Sequence, residues 1–230
     1  MRITLISLLM LALLGCSAAE LQRIGYAPLT EAEVTQALKD ALSRGIARSA
    51  ADAARVDGYL GNPQLRIELP EDAARLEKTL RKIGFGEQVD KARVQLNRAA
   101  ERAAARAKPV FIRAITGITI DDAFDILNGE SNAATQYLVD VAGDDLYDAF
   151  RPIIVNALDE TSATRYYEDI VRRYNALPLV FDVDPELADY VTEKAIEGLF
   201  LLMAQEEARI RTQSSARTTR LLKRVFGSLD

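Results

Sequence analysis

Pro185-Glu-Leu-Ala-Asp-Tyr-Val-Thr-Glu-Lys-Ala-Ile-Glu-Gly-Leu-Phe-Leu-Leu-Met-Ala-Gln-Glu-Glu-Ala-Arg-Ile-Arg211 decides the fold. Asp184 can cap it and Pro185 suits a first helical turn. Leu187, Val191, Ala195, Leu199 and Leu202 recur at helical spacing, which predicts one long helix to Arg211. Its segment from Leu199 to Met203 is apolar all round, as in a helix buried on most sides. Glu206 continues the apolar stripe. A carboxylate there needs a cation, so Glu206 is expected in a buried ion pair with Arg209, with Arg217 as a second partner across the following turn.

Outward from this helix the pattern stays helical. Thr30-x-x-Glu33 is a capping box, and Val34, Leu38, Ala41, Leu42 and Ile46 carry an amphipathic helix to about residue 55. Asp57 to Pro63 is dense in turn formers. Leu65 to Leu69 alternates with period two and predicts a short extended segment; residues 179–183 predict another. Helices follow from Pro70 to Ile83, where Gly84 can stop the helix, and from Glu87 to Lys108, ended by Pro109. Further helices are expected from Thr119 to Asn128, at about 132–142, 144–158 and 162–175, and from Ser214 to Phe226. The fold class is all-α: a single multi-helix, bundle-like domain over residues 30–230, with at most those two extended segments.

The amino terminus has its own logic. Met1-Arg2 is a short positive start, and Ile3 to Leu14 is almost continuously apolar. A run of about 12 residues is a signal-peptide core; a membrane-spanning helix needs roughly 20. Leu13-Leu14-Gly15-Cys16 resembles the lipobox of bacterial lipoproteins. The resemblance implies a signal peptide over residues 1–15, lipidation at Cys16 and a tether over 16–29. Ser17 after the cysteine implies the outer membrane, with the domain facing the periplasm.

Composition narrows the chemistry. The 230 residues contain no histidine and one cysteine, and the net charge is -5. Without histidine or an unmodified thiol, Ser-His-Asp and Cys-His catalysis and ordinary zinc sites are excluded. The charge speaks against nucleic-acid binding. The motifs Ser-x-x-Lys, Gly-x-Ser-x-Gly, Gly-x-x-x-x-Gly-Lys and Gly-x-Gly-x-x-Gly do not occur. No metal site, catalytic residue or cofactor is expected.

Charge is also uneven. No Lys or Arg lies between Arg113 and Arg151, while the chain after Glu207 is basic. The two blocks are expected to face each other, or the basic block to rest on anionic headgroups through Arg217, Arg220 and Arg224. Arg98, Arg102 and Arg106 recur every four residues and form a second candidate anion or membrane contact. The acidic residues offer oxygens for calcium, but no segment fits a twelve-residue calcium loop.

Several phrases resemble one family together: Asp57-Gly-Tyr-Leu-Gly-Asn-Pro63, Asn97-Arg-Ala-Ala-Glu101, Asp122-Ala-Phe-Asp-Ile-Leu-Asn-Gly129, Tyr174-Asn-Ala-Leu-Pro178, Tyr190 to Phe200 and Ala216 to Phe226. The chain is similar over roughly residues 35–227 to a bacterial lipoprotein family known as domain of unknown function 4197. The resemblance implies a lipoprotein setting and a mainly helical domain, and lends no catalytic residues. The expected role is a non-enzymatic interaction or scaffolding module of the envelope, held to the membrane by its lipid and meeting an envelope protein partner. The alternatives are a helical groove for a lipid or other small amphiphile near Phe200 and Met203, and a carboxylate-dependent hydrolase.

Overall fold

Thr30 and Glu33 open the first helix. The Glu33 backbone N–H donates to Thr30 Oγ1 at 3.2 Å, and the Thr30 N–H donates to Glu33 Oε2 at 3.0 Å. Helix α1, Glu31–Ala53, follows. The computed structural model describes residues 28–70, 74–117, 119–121, 123–180, 183 and 186–230. The other helices are α2 (Ala74–Lys82), α3 (Gly86–Gly117), α4 (Ala123–Asn128), α5 (Ala133–Thr161), α6 (Ala163–Asn175), α7 (Ala188–Thr212) and α8 (Arg220–Phe226). Two short 3₁₀ turns, Ser214–Ala216 and Gly227–Leu229, flank α8. The fold is all-α, and no helix among the described residues is long and apolar enough to cross a membrane.

Four long helices form the core. Around the ring α1 packs on α3, α3 on α5, α5 on α7, and α7 back on α1. Helices α2 and α6 cover the outside of α3, while α4 and α8 lie against α1. Alanines at 92, 99, 100, 103, 104 and 107 face inward on α3 and are fully buried, so α3 can approach several neighbours closely. Larger side chains fill the rest: Phe111, Phe150, Tyr59 and Tyr167 are each at most 1% exposed.

The structure corrects four helix boundaries. Pro109 does not end α3, and Pro152 lies inside α5. A proline removes one helix hydrogen bond and displaces the carbonyl four residues earlier. Here Pro109 and Ala105, and likewise Pro152 and Asp148, are on exposed faces, where water can satisfy the carbonyl. Gly143 does not divide two helices; α5 runs through it. The helix after Thr119 begins only at Ala123. The terminal helix does not start at Ser214: residues 217–219 are non-helical, and Thr219 caps α8 by accepting from the Leu222 N–H at 3.1 Å.

Residues 66–70 form neither helix nor strand; burial alternates from Leu65 to Leu69, and the side chain of Asn97 takes the place of a strand partner for Ile67. Leu179 has φ 63, so the second expected segment is not extended at its start. Residues 181 and 182 of that segment, the cap proposed at Asp184, the helix start at Pro185, the signal peptide over 1–15 and Cys16 all lie outside the described residues.

Candidate functional site

The loop after α1 is built like a plug. Asp57 takes a left-handed conformation, φ 65. A Cβ on Gly58 would sit 2.4 Å from the Ala53 carbonyl oxygen, so only glycine fits. Glu101 Oε1 accepts from the N–H groups of Tyr59 at 3.2 Å and Leu60 at 3.4 Å, while Oε2 pairs with Arg98 at 2.6 Å. Arg98 also reaches Asp57 at 2.8 Å. One turn earlier Asn97, fully buried, receives the Ile67 N–H at 2.9 Å and donates to the Ile67 carbonyl at 2.8 Å. Tyr59 passes beneath Gly198 and donates its hydroxyl to the Ala195 carbonyl of α7 at 2.7 Å. Burial and the neighbouring Glu101 carboxylate hold this phenol far above its ordinary pKa. Three of the family phrases, Asp57 to Pro63, Asn97 to Glu101 and Tyr190 to Phe200, therefore meet in space, and their polar atoms are used in holding α1, α3 and α7 together.

A second buried network closes the other end of α7. Glu207 is 2% exposed. Its carboxylate accepts from the N–H groups of Ala134 at 2.9 Å and Thr135 at 2.7 Å, and from the Thr135 hydroxyl at 2.7 Å. It thus caps α5, where the helix dipole favours negative charge. Arg211 pairs with Glu207 at 2.9 Å and donates to the carbonyls of Leu127 at 2.6 Å and Ile126 at 2.9 Å, the open end of α4. Arg217, 2% exposed, donates to the carbonyls of Ile210 and Arg211 and forks onto Asp230 at 2.5 and 2.8 Å.

These contacts locate the expected site residues. Glu206 pairs with Arg209 at 2.6 Å, but not with Arg217. Arg48 of α1 is its second cation, at 3.5 Å. Arg217 precedes α8 rather than lying on it and is turned inward onto Asp230, so it cannot share a membrane-facing row with Arg220 and Arg224. Arg224 reaches Glu33, and Arg220 is exposed. Arg98 is spent on the loop, and Arg102 and Arg106 converge on Glu160 at 3.4 and 2.9 Å. The basic block does meet the 114–150 segment, but through Arg211 and the backbone ends of α4 rather than through its carboxylates. Asp144 and Asp145 lie mid-helix in α5, away from its first turn. No group of three acidic or cysteine side chains suited to a metal occurs among the described residues.

Stepping by four from Leu199 gives Met203, Glu207 and Arg211, so the buried pair was legible as a continuation of the stripe. The step of three to Leu202 pointed to Glu206 instead. Arg44 and Arg48 carried no signal beyond helical spacing, because α7 supplies the context that makes them a site.

That site is an open trough of about 610 Å³ between α1 and the carboxyl end of α7, lined by Arg44, Arg48, Glu206, Arg209, Gln213 and Thr218 among others. A smaller cavity of about 250 Å³ shares Arg48, Glu206 and Arg209 and adds Ser49. Arg44 donates to the Thr218 hydroxyl at 2.8 Å and meets no carboxylate among the described residues. The Arg209 Nε–H and the buried Ser49 hydroxyl have no hydrogen-bond partner there. Such groups usually cost about 1–3 kcal/mol each. A second groove, about 430 Å³, lies on the opposite edge of the ring between α3 and α5, with Val141 on its wall and Arg113 and Asp145 beside it. Near the expected amphiphile site, Phe200 packs edge-on against Phe111 at 5.4 Å and Met203 lies over Gly45.

Fold and site define a helical-bundle domain with structural charges inside and its open polar chemistry in surface grooves. The model of the family described as "Protein of unknown function (DUF4197)" matches residues 28–227, and the chain belongs to that family. No curated protein and no solved structure matches it.

Proposed function

We propose that this protein is a lipid-anchored component of the bacterial outer membrane, facing the periplasm, and that it acts as a non-enzymatic interaction or scaffolding module. The observation that carries the reading is the use made of its buried carboxylates. Glu101 and Glu207 are each tied to backbone N–H groups and an arginine, and so hold a loop and a helix start in place. Glu206, the carboxylate lining the trough between α1 and α7, is held between Arg48 and Arg209. A hydrolase working with paired carboxylates needs two of them across a cleft. The working surface is then the exterior, including the α3–α5 groove, where Val141 is 46% exposed. Three acyl chains on Cys16, each buried CH₂ worth about 0.8 kcal/mol, would make attachment effectively permanent.

The test is a photo-crosslinking residue at Val141, and separately at exposed Lys223, in living cells, with and without Cys16→Ser. A discrete adduct to an envelope protein that disappears with Cys16→Ser supports the reading. No adduct from any exposed face, or the same adducts without the anchor, overturns it.

A further inference from the structure

We propose that the trough between α1 and α7 is a binding site for a phosphate-bearing anion. Its walls carry three guanidinium groups, on Arg44, Arg48 and Arg209, against the carboxylate of Glu206 and, on the adjoining cavity, that of Asp52, which lies 3.8 Å from Arg48. This is an excess of positive charge on a protein whose net charge is -5. Arg44 and Arg48 stand one turn apart on α1, a spacing at which like charges repel unless an anion lies between or beside them. Arg48 and Arg209 approach the two oxygens of Glu206 from different helices, 3.5 Å from Oε2 and 2.6 Å from Oε1, which brings their planar forks into one place. Arg44 has only the Thr218 hydroxyl.

Donor capacity remains after these bonds. The Arg209 Nε–H and the Ser49 hydroxyl beside the trough are unpartnered, and both atoms are buried. The Ser215 and Thr218 hydroxyls and the Gln213 amide complete the wall. A tetrahedral anion with three acceptor oxygens answers three guanidiniums on different sides better than a second planar carboxylate does. The trough has room for a polar body the size of glycerol or a sugar beside the phosphate. The other arginine row differs: Arg102 and Arg106 share Glu160 on an open face. A lipid headgroup and a soluble phosphoester share this chemistry. The inference rests on the trough alone and survives if the membrane anchor does not.

The test is calorimetric titration of the full chain in dodecyl maltoside with glycerol phosphate, and with phosphatidylglycerol or phosphatidylcholine in mixed micelles. Arg48→Ala with Arg209→Ala, and separately Ala47→Glu, should weaken binding about tenfold or more, a loss of roughly 1.4 kcal/mol. Arg102→Ala with Arg106→Ala, which removes equal charge elsewhere, should leave it within about twofold. Helicity by circular dichroism checks that each variant is folded. Binding of glycerol phosphate assigns a soluble ligand; binding of phosphatidylglycerol micelles alone, lost in both trough variants, assigns a headgroup. Absence of binding in both arms, or equal affinity in wild type and Ala47→Glu, overturns the proposal.

Discussion

Glu207 and Arg211 stand one turn apart on α7, paired at 2.9 Å, and each holds the end of a different helix. Glu207 caps the start of α5 and Arg211 the finish of α4. One ion pair thus joins three helices, and Arg217 extends the linkage to the last residue of the chain. A buried pair of this kind is held at a desolvation cost, and removing one member strands the other.

Glu207→Ala and Arg211→Ala should each destabilise the domain by about 3–5 kcal/mol. The double variant should lose much less than the sum, because neither charge is then left alone. Urea unfolding followed by circular dichroism measures all three. Strict additivity would mean that the two residues act independently.

Glycines should divide by the space around them. Gly58→Ala drives a methyl group into the Ala53 carbonyl and should cost more than about 2 kcal/mol. Gly143→Ala, in the interior of α5 with nothing within 4 Å of its Cβ, should instead stabilise by about 0.5–1 kcal/mol. Thermal unfolding of both variants reads the opposite signs.

Asn97→Leu should leave the Ile67 N–H and carbonyl without partners inside the protein and cost about 2–3 kcal/mol. The effect should be local. Hydrogen exchange should rise first over residues 57–70, and much less on α5. Uniform acceleration across the domain would place the effect in the core instead.

The Arg217 hydrogen bonds hold the Asp230 carboxyl below its ordinary pKa of 3.8. A depressed folded-state value means that the clasp stabilises in full above the ordinary value and is lost as pH falls through the folded value. The stability difference between wild type and Asp230→Asn should therefore be constant from neutral pH down to about pH 4 and narrow below it. Unfolding curves of both proteins over that range check it; a gap that closes near neutral pH would contradict the assignment.

Periodicity made the long helices and most of the core legible, because a buried stripe leaves a local signature. Prolines and glycines misled where tertiary packing outweighed local preference. Pro109 and Gly143 each sit within long helices whose buried faces continue on both sides, whereas Pro152 falls inside a helix as the periodicity predicts. The ion pairs were legible only in part. Glu206 and Arg209 are three residues apart on one helix, while the partner at Arg48 is distant in sequence. Arg217 looked like part of a basic helical row, yet a break before Thr219 turns it inward. The trough at Arg44 and Arg48 exists only once α1 and α7 are side by side, and no local pattern announces that.

The envelope reading is tested most directly by the intact mass of the protein extracted from the membranes of its own cells. The account predicts a chain that begins at Cys16 and carries a diacylglyceryl group and an amide-linked acyl chain. A chain that retains Met1, or one with an unmodified Cys16 recovered from the aqueous fraction, would contradict it.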